Sequence, residues 1–303
     1  GMKVIKYPAK EEWSEIVKRP HLDVSKLNAT VQGVLDDVKK HGDEAVKRYE
    51  EMFDHAHLDS LAVTEAEIEE AEKMVSQELK DALHLAHHNI AAFHQSQKFE
   101  GEKVETCPGV TCWQKSVAIQ KVGLYIPGGT APLFSTVLML ATPAKIAGCE
   151  EIVLCTPPNQ EGKVNPAILM AAKIAGVSKI FKAGGVQAIG AMAYGTESVP
   201  KVYKIFGPGN QFVMAAKQQV SLHDVAIDMP AGPSEVCLIA DETANPVFAA
   251  ADLLSQAEHG FDSQVFFITT SEKVLAEVKK EVEVQLERLP RKEMAQTSLD
   301  NSK

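Results

Sequence analysis

The stretch Val122-Gly-Leu-Tyr-Ile-Pro-Gly-Gly-Thr-Ala-Pro-Leu-Phe-Ser-Thr136 decides the fold, because it leads from a strand-like run through a glycine turn into an apolar helix. The run 117–126 is rich in β-branched and aromatic residues, and apolar spacing predicts a helix near 133–147. A strand that continues through a turn into a helix is the repeating unit of parallel sheets wrapped by helices.

The same unit recurs along the middle of the chain, so we predict a parallel sheet with helical crossovers. The further predicted strands are 151–155, 179–181 and 201–206, and the further helices are near 165–175, near 186–194 and from about Asn210.

Helical patterns flank this region on its N-terminal side. Residues 8–98 are predicted to be helical almost throughout, because apolar residues such as Val31, Val34, Leu35 and Val38 keep helical spacing. The strand-helix order then returns near the end of the chain. We therefore expect residues 235–303 to pack with the N-terminal helices, with residues 122–234 inserted between them.

Composition restricts the class of protein. Of the 303 residues, 45% are hydrophobic and 24% are charged, which is typical of a soluble globular protein. The formal net charge of −10 argues against nucleic acid or an anionic membrane surface as a general partner. Five scattered cysteines without a CxxC pair, and the lack of a signal peptide or a membrane-spanning run, predict a cytoplasmic protein.

A polar stripe marks one predicted helix. Residues 236–240 are predicted to form a buried strand, and the helix that follows runs from about Pro246 to His259. On that helix Asp252, Gln256 and His259 fall within one wedge of about 60°. Such a stripe is either a buried hydrogen-bonded seam or the wall of a site, and spacing alone favours the seam.

The histidines and the cysteines each allow two interpretations. His84, His87 and His88 have a spacing that can hold a metal, but a polar helix face is the simpler interpretation because no carboxylate joins them. A thiol nucleophile for aldehyde oxidation is conceivable at Cys149 or Cys155. No histidine lies near either cysteine in sequence, so burial is favoured.

Three glycine-rich turns follow predicted strands at the edge where such sheets bind ligands. Glycines there allow close backbone approach, and three such turns predict a nucleotide-sized ligand, although a Gly-x-Gly-x-x-Gly fingerprint with its later acid is absent. Tyr125 could stack on a base, and Gln187 and Asn210 can donate and accept hydrogen bonds. Turn chemistry is the alternative explanation for all three residues. The turns are 125–130, 183–187 and 206–210.

Long stretches of the chain resemble the histidinol dehydrogenase family. The resemblance implies zinc- and NAD-dependent oxidation of L-histidinol to L-histidine through L-histidinal, the last steps of histidine biosynthesis. It also implies an α/β fold of two incomplete Rossmann-like parallel-sheet domains, one inserted in the other, with an N-terminal helical region. The first domain would comprise 1–121 and 235–303, and 122–234 would be the inserted NAD-binding domain. The matching stretches are 122–136, 204–210, 227–235 and 253–260.

The resemblance also assigns roles to individual residues and implies one Zn²⁺ per subunit of a homodimer. The partner it implies is the small molecule L-histidinol, with no nucleic acid and no membrane. The implied contacts are Tyr125, Gln187 and Asn210 for NAD, Ser234, Gln256 and His259 for the substrate, and Gln256 and His259 for zinc.

One departure from the family pattern limits these expectations. Family chains continue past the position of Lys303 and there supply an Asp and a His as further zinc ligands, together with a catalytic Glu-His pair. We therefore expect an N-terminal portion of the enzyme, without a catalytic residue of its own, that binds zinc weakly and turns over little. The alternatives are a related dehydrogenase of another small alcohol and a non-catalytic NAD-binding or dimerisation fragment.

Overall fold

The computed structural model describes residues 1–19, 25–129, 131–231, 234–260 and 263–303. The chain forms two compact units. The central unit is Asp23–Pro230, and the terminal unit comprises Gly1–Leu22 and Ala231–Lys303.

The central unit contains most of the regular structure. Its helices are α2 (Asn28–His41), α3 (Asp43–Asp54), α4 (Glu65–Met74), α5 (Gln77–Gln95), α6 (Phe134–Ala147), α7 (Pro166–Ile174), α8 (Gly185–Tyr194) and α9 (Gln211–Ser221), after a short α1 (Trp13–Ile16) in the terminal unit. Its strands are β1 (Val104–Cys107), β2 (Val110–Cys112), β3 (Lys121–Tyr125), β4 (Glu151–Thr156), β5 (Lys179–Lys182), β6 (Lys204–Phe206) and β7 (Ala226–Ile227).

The terminal unit has a smaller set of elements, namely β8 (Val236–Ala240), α10 (Pro246–Ala257), β9 (Val265–Thr269), α11 (Glu272–Leu286) and α12 (Lys292–Asp300).

A five-stranded parallel sheet organises the central unit, in the order β5-β4-β3-β6-β7. The chain moves outward from β3 through β4 to β5 and then crosses to β6 on the other side. This is the strand order of doubly wound nucleotide-binding folds, in which ligands bind where the order reverses. The reversal here lies between β3 and β6.

Helices cover both faces of this sheet. Successive strand residues alternate between two cores, as in β4, where Val153 and Cys155 face one cluster and Ile152 and Leu154 the other. Helices α2, α3, α8 and α9 contribute to the first cluster, and α4 to α7 contribute to the second. The predicted parallel sheet and its helical crossovers are therefore confirmed.

The N-terminal helices from α2 onward belong to the central unit, whereas the sequence grouped residues 1–121 with 235–303. The apolar face of α2 packs on α8 at Gly190, where an added Cβ would lie 3.3 Å from both Leu35 Cδ2 and Val38 Cγ1. The absence of a side chain at Gly190 lets the two helix backbones approach closely. This packing makes α2 part of the layer that covers the five-stranded sheet.

The terminal unit is a two-stranded parallel sheet of β8 and β9 with helices on one face. Asn245 caps α10 as its sequence indicates, because its side chain accepts hydrogen bonds from the backbone N–H groups of Val247 and Phe248. The prediction that β8 is a buried strand is wrong. Ile239 is 77% exposed, because α10 and α11 cover the opposite face of the sheet.

The α/β class of two incomplete Rossmann-like parallel-sheet regions, one inserted in the other, is confirmed by these two units. Within the described residues, the helices are all too short or too polar to cross a membrane.

Candidate functional site

A cleft of about 1010 Å³ opens at the carboxyl ends of the central strands. Glycine-rich turns after β3, β5 and β6 line it, together with the Pro157-Pro158 segment that follows β4. The cleft therefore lies at the reversal of strand order, which is where doubly wound sheets bind their ligands. Thr130 and the pair Gly232 and Pro233, which belong to the quoted motifs, lie outside the described residues.

A partly buried ion pair holds the turn that follows β6. Gly207 has φ +136, and a Cβ there would lie 2.2 Å from the backbone oxygen of Tyr125. The buried Lys217 donates from Nζ to the Gly207 oxygen at 2.7 Å and to the Asp228 carboxylate. Asp228 in turn accepts the Gly207 N–H at 3.0 Å. Both backbone groups of Gly207 are thus tied to one charged pair.

Tyr125 ends β3, and its ring is buried, with only 3% exposed. The ring belongs to the first core cluster, and its stacking on a base stays a prediction that this burial disfavours. The hydroxyl oxygen accepts a hydrogen bond from the Gly185 N–H at 2.8 Å. Burial raises the pKa of Tyr125, so the hydroxyl keeps its hydrogen and can donate it to a ligand.

Gln187 lies in the first turn of α8 and is 1% exposed. Its Nε2 donates to Glu50 Oε1 at 2.9 Å, and the Gly184 N–H donates to the same oxygen at 2.6 Å. Its Oε1 accepts no hydrogen bond from the described residues, which leaves one acceptor on this wall of the cleft.

Asn210 is the N-cap of α9. Its Oδ1 accepts hydrogen bonds from the backbone N–H groups of Phe212 and Val213 at 3.1 and 3.0 Å. Turn chemistry therefore accounts for its carbonyl oxygen. Its Nδ2 donates to none of the described residues and can still bind a ligand.

Two carboxyl groups on α3 belong to this region, although the sequence motifs do not include them. Glu50 is fully buried, and burial together with the neighbouring Asp54 carboxylate raises its pKa to about 9. Asp54 lines the cleft. Helical spacing in the sequence could have indicated Glu50. This residue follows the buried Val46 by one turn of α3 and therefore falls on the apolar face of that helix.

The residues expected to bind substrate and zinc lie in the terminal unit. Gln256 is half-buried near the end of α10, and His259 and Ser234 are exposed. Asp252 is also exposed, and its side chain bonds to none of the described residues. The stripe is therefore not the buried hydrogen-bonded seam that spacing alone favoured. Helix α10 ends at Ala257, so His259 lies just beyond its last turn.

A larger cavity of about 1190 Å³ also occurs in the terminal unit. It lies between the N-terminal segment, β9 and α11, and its lining is largely apolar. Ser234, Gln256 and His259 are not among its lining residues, so it is separate from the residues expected to bind substrate and zinc.

The histidines of α5 and the cysteine of β4 have structural explanations. His84 and His88 are exposed on α5, His87 is half-buried, and the three form no metal-binding group with other described residues. Cys155 is fully buried, and burial raises the pKa of its thiol. A neutral buried thiol is a poor nucleophile, so Cys155 is a core residue.

Comparison with known proteins identifies the family. The family model described as histidinol dehydrogenase matches residues 17–303. A histidinol dehydrogenase from Bacteroides fragilis is 69% identical over 302 residues, which are 100% of this chain and 71% of the relative.

The chain belongs to the histidinol dehydrogenase family. The Escherichia coli K12 histidinol dehydrogenase is 52% identical over 296 residues, covering 97% of this chain and 67% of the relative. The crystal structure of histidinol dehydrogenase from Elizabethkingia anophelis matches with a TM-score of 0.97 and 51% identity, over 99% of this chain and 70% of that chain. The family consists of oxidoreductases that complete histidine biosynthesis.

Members of the histidinol dehydrogenase family are expected to hold zinc, and the donors present here fit that metal in part. Gln256 offers an amide oxygen and His259 an imidazole nitrogen, and neither side chain bonds to another described residue. Within the described ranges, no group of three or more His, Cys, Asp or Glu side chains surrounds a possible metal position. Two donors are available, whereas zinc usually takes four.

Proposed function

We propose that this chain takes part in the oxidation of L-histidinol to L-histidine through L-histidinal, with NAD as the oxidant. The observation that carries the proposal is the arrangement of Tyr125, Gln187 and Asn210 around one cleft. In each residue one side-chain atom forms hydrogen bonds within the protein and another remains available to a ligand. The available atoms are the Tyr125 hydroxyl hydrogen, Gln187 Oε1 and Asn210 Nδ2.

The size and lining of the cleft support a dinucleotide. A volume of about 1010 Å³ is at the upper end of ordinary ligand sites. Proline and glycine residues form much of the wall and offer apolar surface to a base and a ribose. Phe212 is 38% exposed at the start of α9 and offers a ring face that the buried Tyr125 does not.

Gln256 and His259 are proposed to hold a zinc ion, one per subunit, with Ser234 in contact with the substrate. Zinc, when bound, would act as a Lewis acid that fixes the polar groups of L-histidinol. The exposed imidazole of His259 and the half-buried amide of Gln256 would present their donors from the end of α10. In this proposal the protein is a cytoplasmic homodimer with a small-molecule substrate and no nucleic-acid or membrane partner.

NAD is expected to slow hydrogen exchange at the backbone amides that line the cleft. Protection should be concentrated at 125–129, 184–187 and 207–213, because the turns there would contact the bound dinucleotide. Hydrogen exchange with mass spectrometry, with and without saturating NAD, measures the effect. Protection confined to the terminal unit would overturn the cofactor site, and α5 serves as an internal region expected to be unchanged.

Replacing His259 by alanine is expected to weaken zinc binding at least about tenfold, since one of two available donors is removed. The affinity can be measured by competition with a chromophoric chelator on the full chain. His223→Ala is the matched control, because His223 is exposed and in the central unit. Equal zinc affinity in the His259→Ala variant and the unmodified chain would remove His259 from the metal site.

A further inference from the structure

The cleft of the central unit has an unequal charge distribution. Among its described lining residues, the charged side chains are Asp54 and Lys163. Lys163 is paired with Glu70, at 3.7 Å between Nζ and Oε2, and its side chain is 55% exposed. Asp54, in contrast, is half-buried and forms no ion pair with the described residues. The fixed charge of the inner wall is therefore negative.

Asp54 can supply the acidic residue that dinucleotide-binding sites use to bind a ribose. In doubly wound folds, an acidic residue about twenty positions after the glycine turn accepts hydrogen bonds from a ribose hydroxyl. Here the neighbouring strand β4 ends at Thr156 and is followed by Pro157 and Pro158, so the carboxyl end of this strand carries no carboxylate of its own.

Asp54 supplies a carboxylate to the same place from a different element. An ideal Cβ on Gly184 would lie 3.3 Å from Asp54 Oδ2 and 2.6 Å from Pro157 Cβ. Asp54 and Pro157 thus border the same point, next to the carboxyl end of β4. The carboxylate reaches it from the last residue of α3, which precedes the whole sheet in the chain.

Glu50 lies one turn before Asp54 on α3 and is its buried neighbour. Glu50 Oε1 accepts the Gly184 N–H and the Gln187 Nε2, whereas Glu50 Oε2 receives no donor from the described residues. Burial and the Asp54 carboxylate keep Glu50 protonated at neutral pH, since its pKa is raised to about 9. A protonated Glu50 can donate this hydrogen to the neighbouring Asp54 carboxyl group, which has further lone pairs for a ligand.

We infer that Asp54 selects the unphosphorylated dinucleotide, by accepting the hydroxyl hydrogens of a ribose and repelling a 2′-phosphate. A carboxylate can only accept hydrogen bonds, and a vicinal diol offers two donors to it. A phosphate in the same position offers no donor and adds a like charge. This inference rests on the proposed binding of NAD in this cleft.

The test is a comparison of NAD and NADP affinities for the full chain and for Asp54→Asn, measured by titration calorimetry. The asparagine is isosteric, and its carbonyl oxygen still accepts the proton of Glu50, so the fold is expected to persist. We expect the unmodified chain to prefer NAD strongly. In the variant, NAD should bind about tenfold more weakly, and the ratio of NADP to NAD affinity should rise about tenfold or more.

Glu51→Gln is the matched control, since Glu51 is on the same helix with its side chain 66% exposed and outside the cleft. It should keep both affinities. If Asp54→Asn binds NAD and NADP with the unmodified ratio, the inference about Asp54 is overturned while the cofactor site stands. If the unmodified chain fails to bind NAD, the proposed cofactor site itself is overturned, together with the inference that rests on it.

Discussion

Replacing Lys217 by methionine is expected to lower the free energy of unfolding of the central unit by about 3 kcal/mol. Breaking a buried ion pair by removing one partner costs roughly 3–5 kcal/mol, because the other charge stays behind without compensation. The lower value applies here, since the Asp228 side chain is 30% exposed and keeps some water. The variant also leaves the Gly207 oxygen without its donor. Urea unfolding, combined with hydrogen exchange at β6 and α9, measures the loss.

Lys173→Met is the matched control for that experiment. Lys173 pairs with Glu72 at 2.6 Å, but both side chains are exposed, so solvent screening leaves the pair little effect on stability. The Asp228→Asn variant should be destabilised as well, and the double variant should lose less than the sum of the two single losses. A loss below about 1 kcal/mol in Lys217→Met would show that the pair does not hold the turn.

The stability of the central unit is expected to fall as the pH rises from about 5 to 9 because of Glu50. Its folded pKa is raised from 4.5 to about 9, so the folded state holds a proton that the unfolded chain has released. The stability contributed by this proton is complete below pH 4.5 and is lost as the pH rises through 9. The loss is at most about 1.4 kcal/mol per pH unit for one proton.

The Glu50→Gln variant isolates this effect. Glutamine keeps an oxygen for the Gly184 N–H and for Gln187, and it presents an amide donor toward Asp54 without titrating. We expect the two proteins to be similar near pH 5 and the variant to be more stable by more than about 1 kcal/mol at about pH 8.5. Parallel unfolding free energies over this range, measured in urea, would contradict a proton on Glu50.

The Glu50→Ala variant should be destabilised by about 3 kcal/mol near pH 5, and this deficit should shrink as the pH rises because alanine also removes the titrating group. It leaves the Gly184 N–H and the Gln187 Nε2 buried without an acceptor, at roughly 1–3 kcal/mol for each. The contrast between alanine and glutamine separates the loss of hydrogen bonds from the loss of the titrating group.

The local signals in the sequence were reliable where neighbouring residues decide the conformation. The cap at Asn245, the helix at Asn210 and the strands β3 to β6 follow from turn chemistry and apolar spacing, whereas the two-residue strand β7 was not predicted. The family, and through it the proposed NAD residues, follows from long specific motifs. Patterns of this kind need no knowledge of distant contacts.

The charged residues that shape the cleft required the folded structure. Lys217 follows the buried Val213 by one turn of α9, and Glu50 likewise follows Val46 in α3, so a charge on an apolar face was visible in both helices. Their partners were not visible. Glu50 meets Gly184, which is 134 positions away, and spacing within one helix carries no information about such a pairing.

The sequence by itself determined the α/β class, the strands β3 to β6, the family and the cleft residues Tyr125, Gln187 and Asn210. The tertiary structure decided that the helices from α2 onward cover the five-stranded sheet, and that Asp54 faces the cleft beside Pro157. It also decided which polar atoms remain available to a ligand. The physical reason is that elements form through contacts within a few residues, whereas burial, pKa and free hydrogen-bonding atoms depend on groups brought together across the chain.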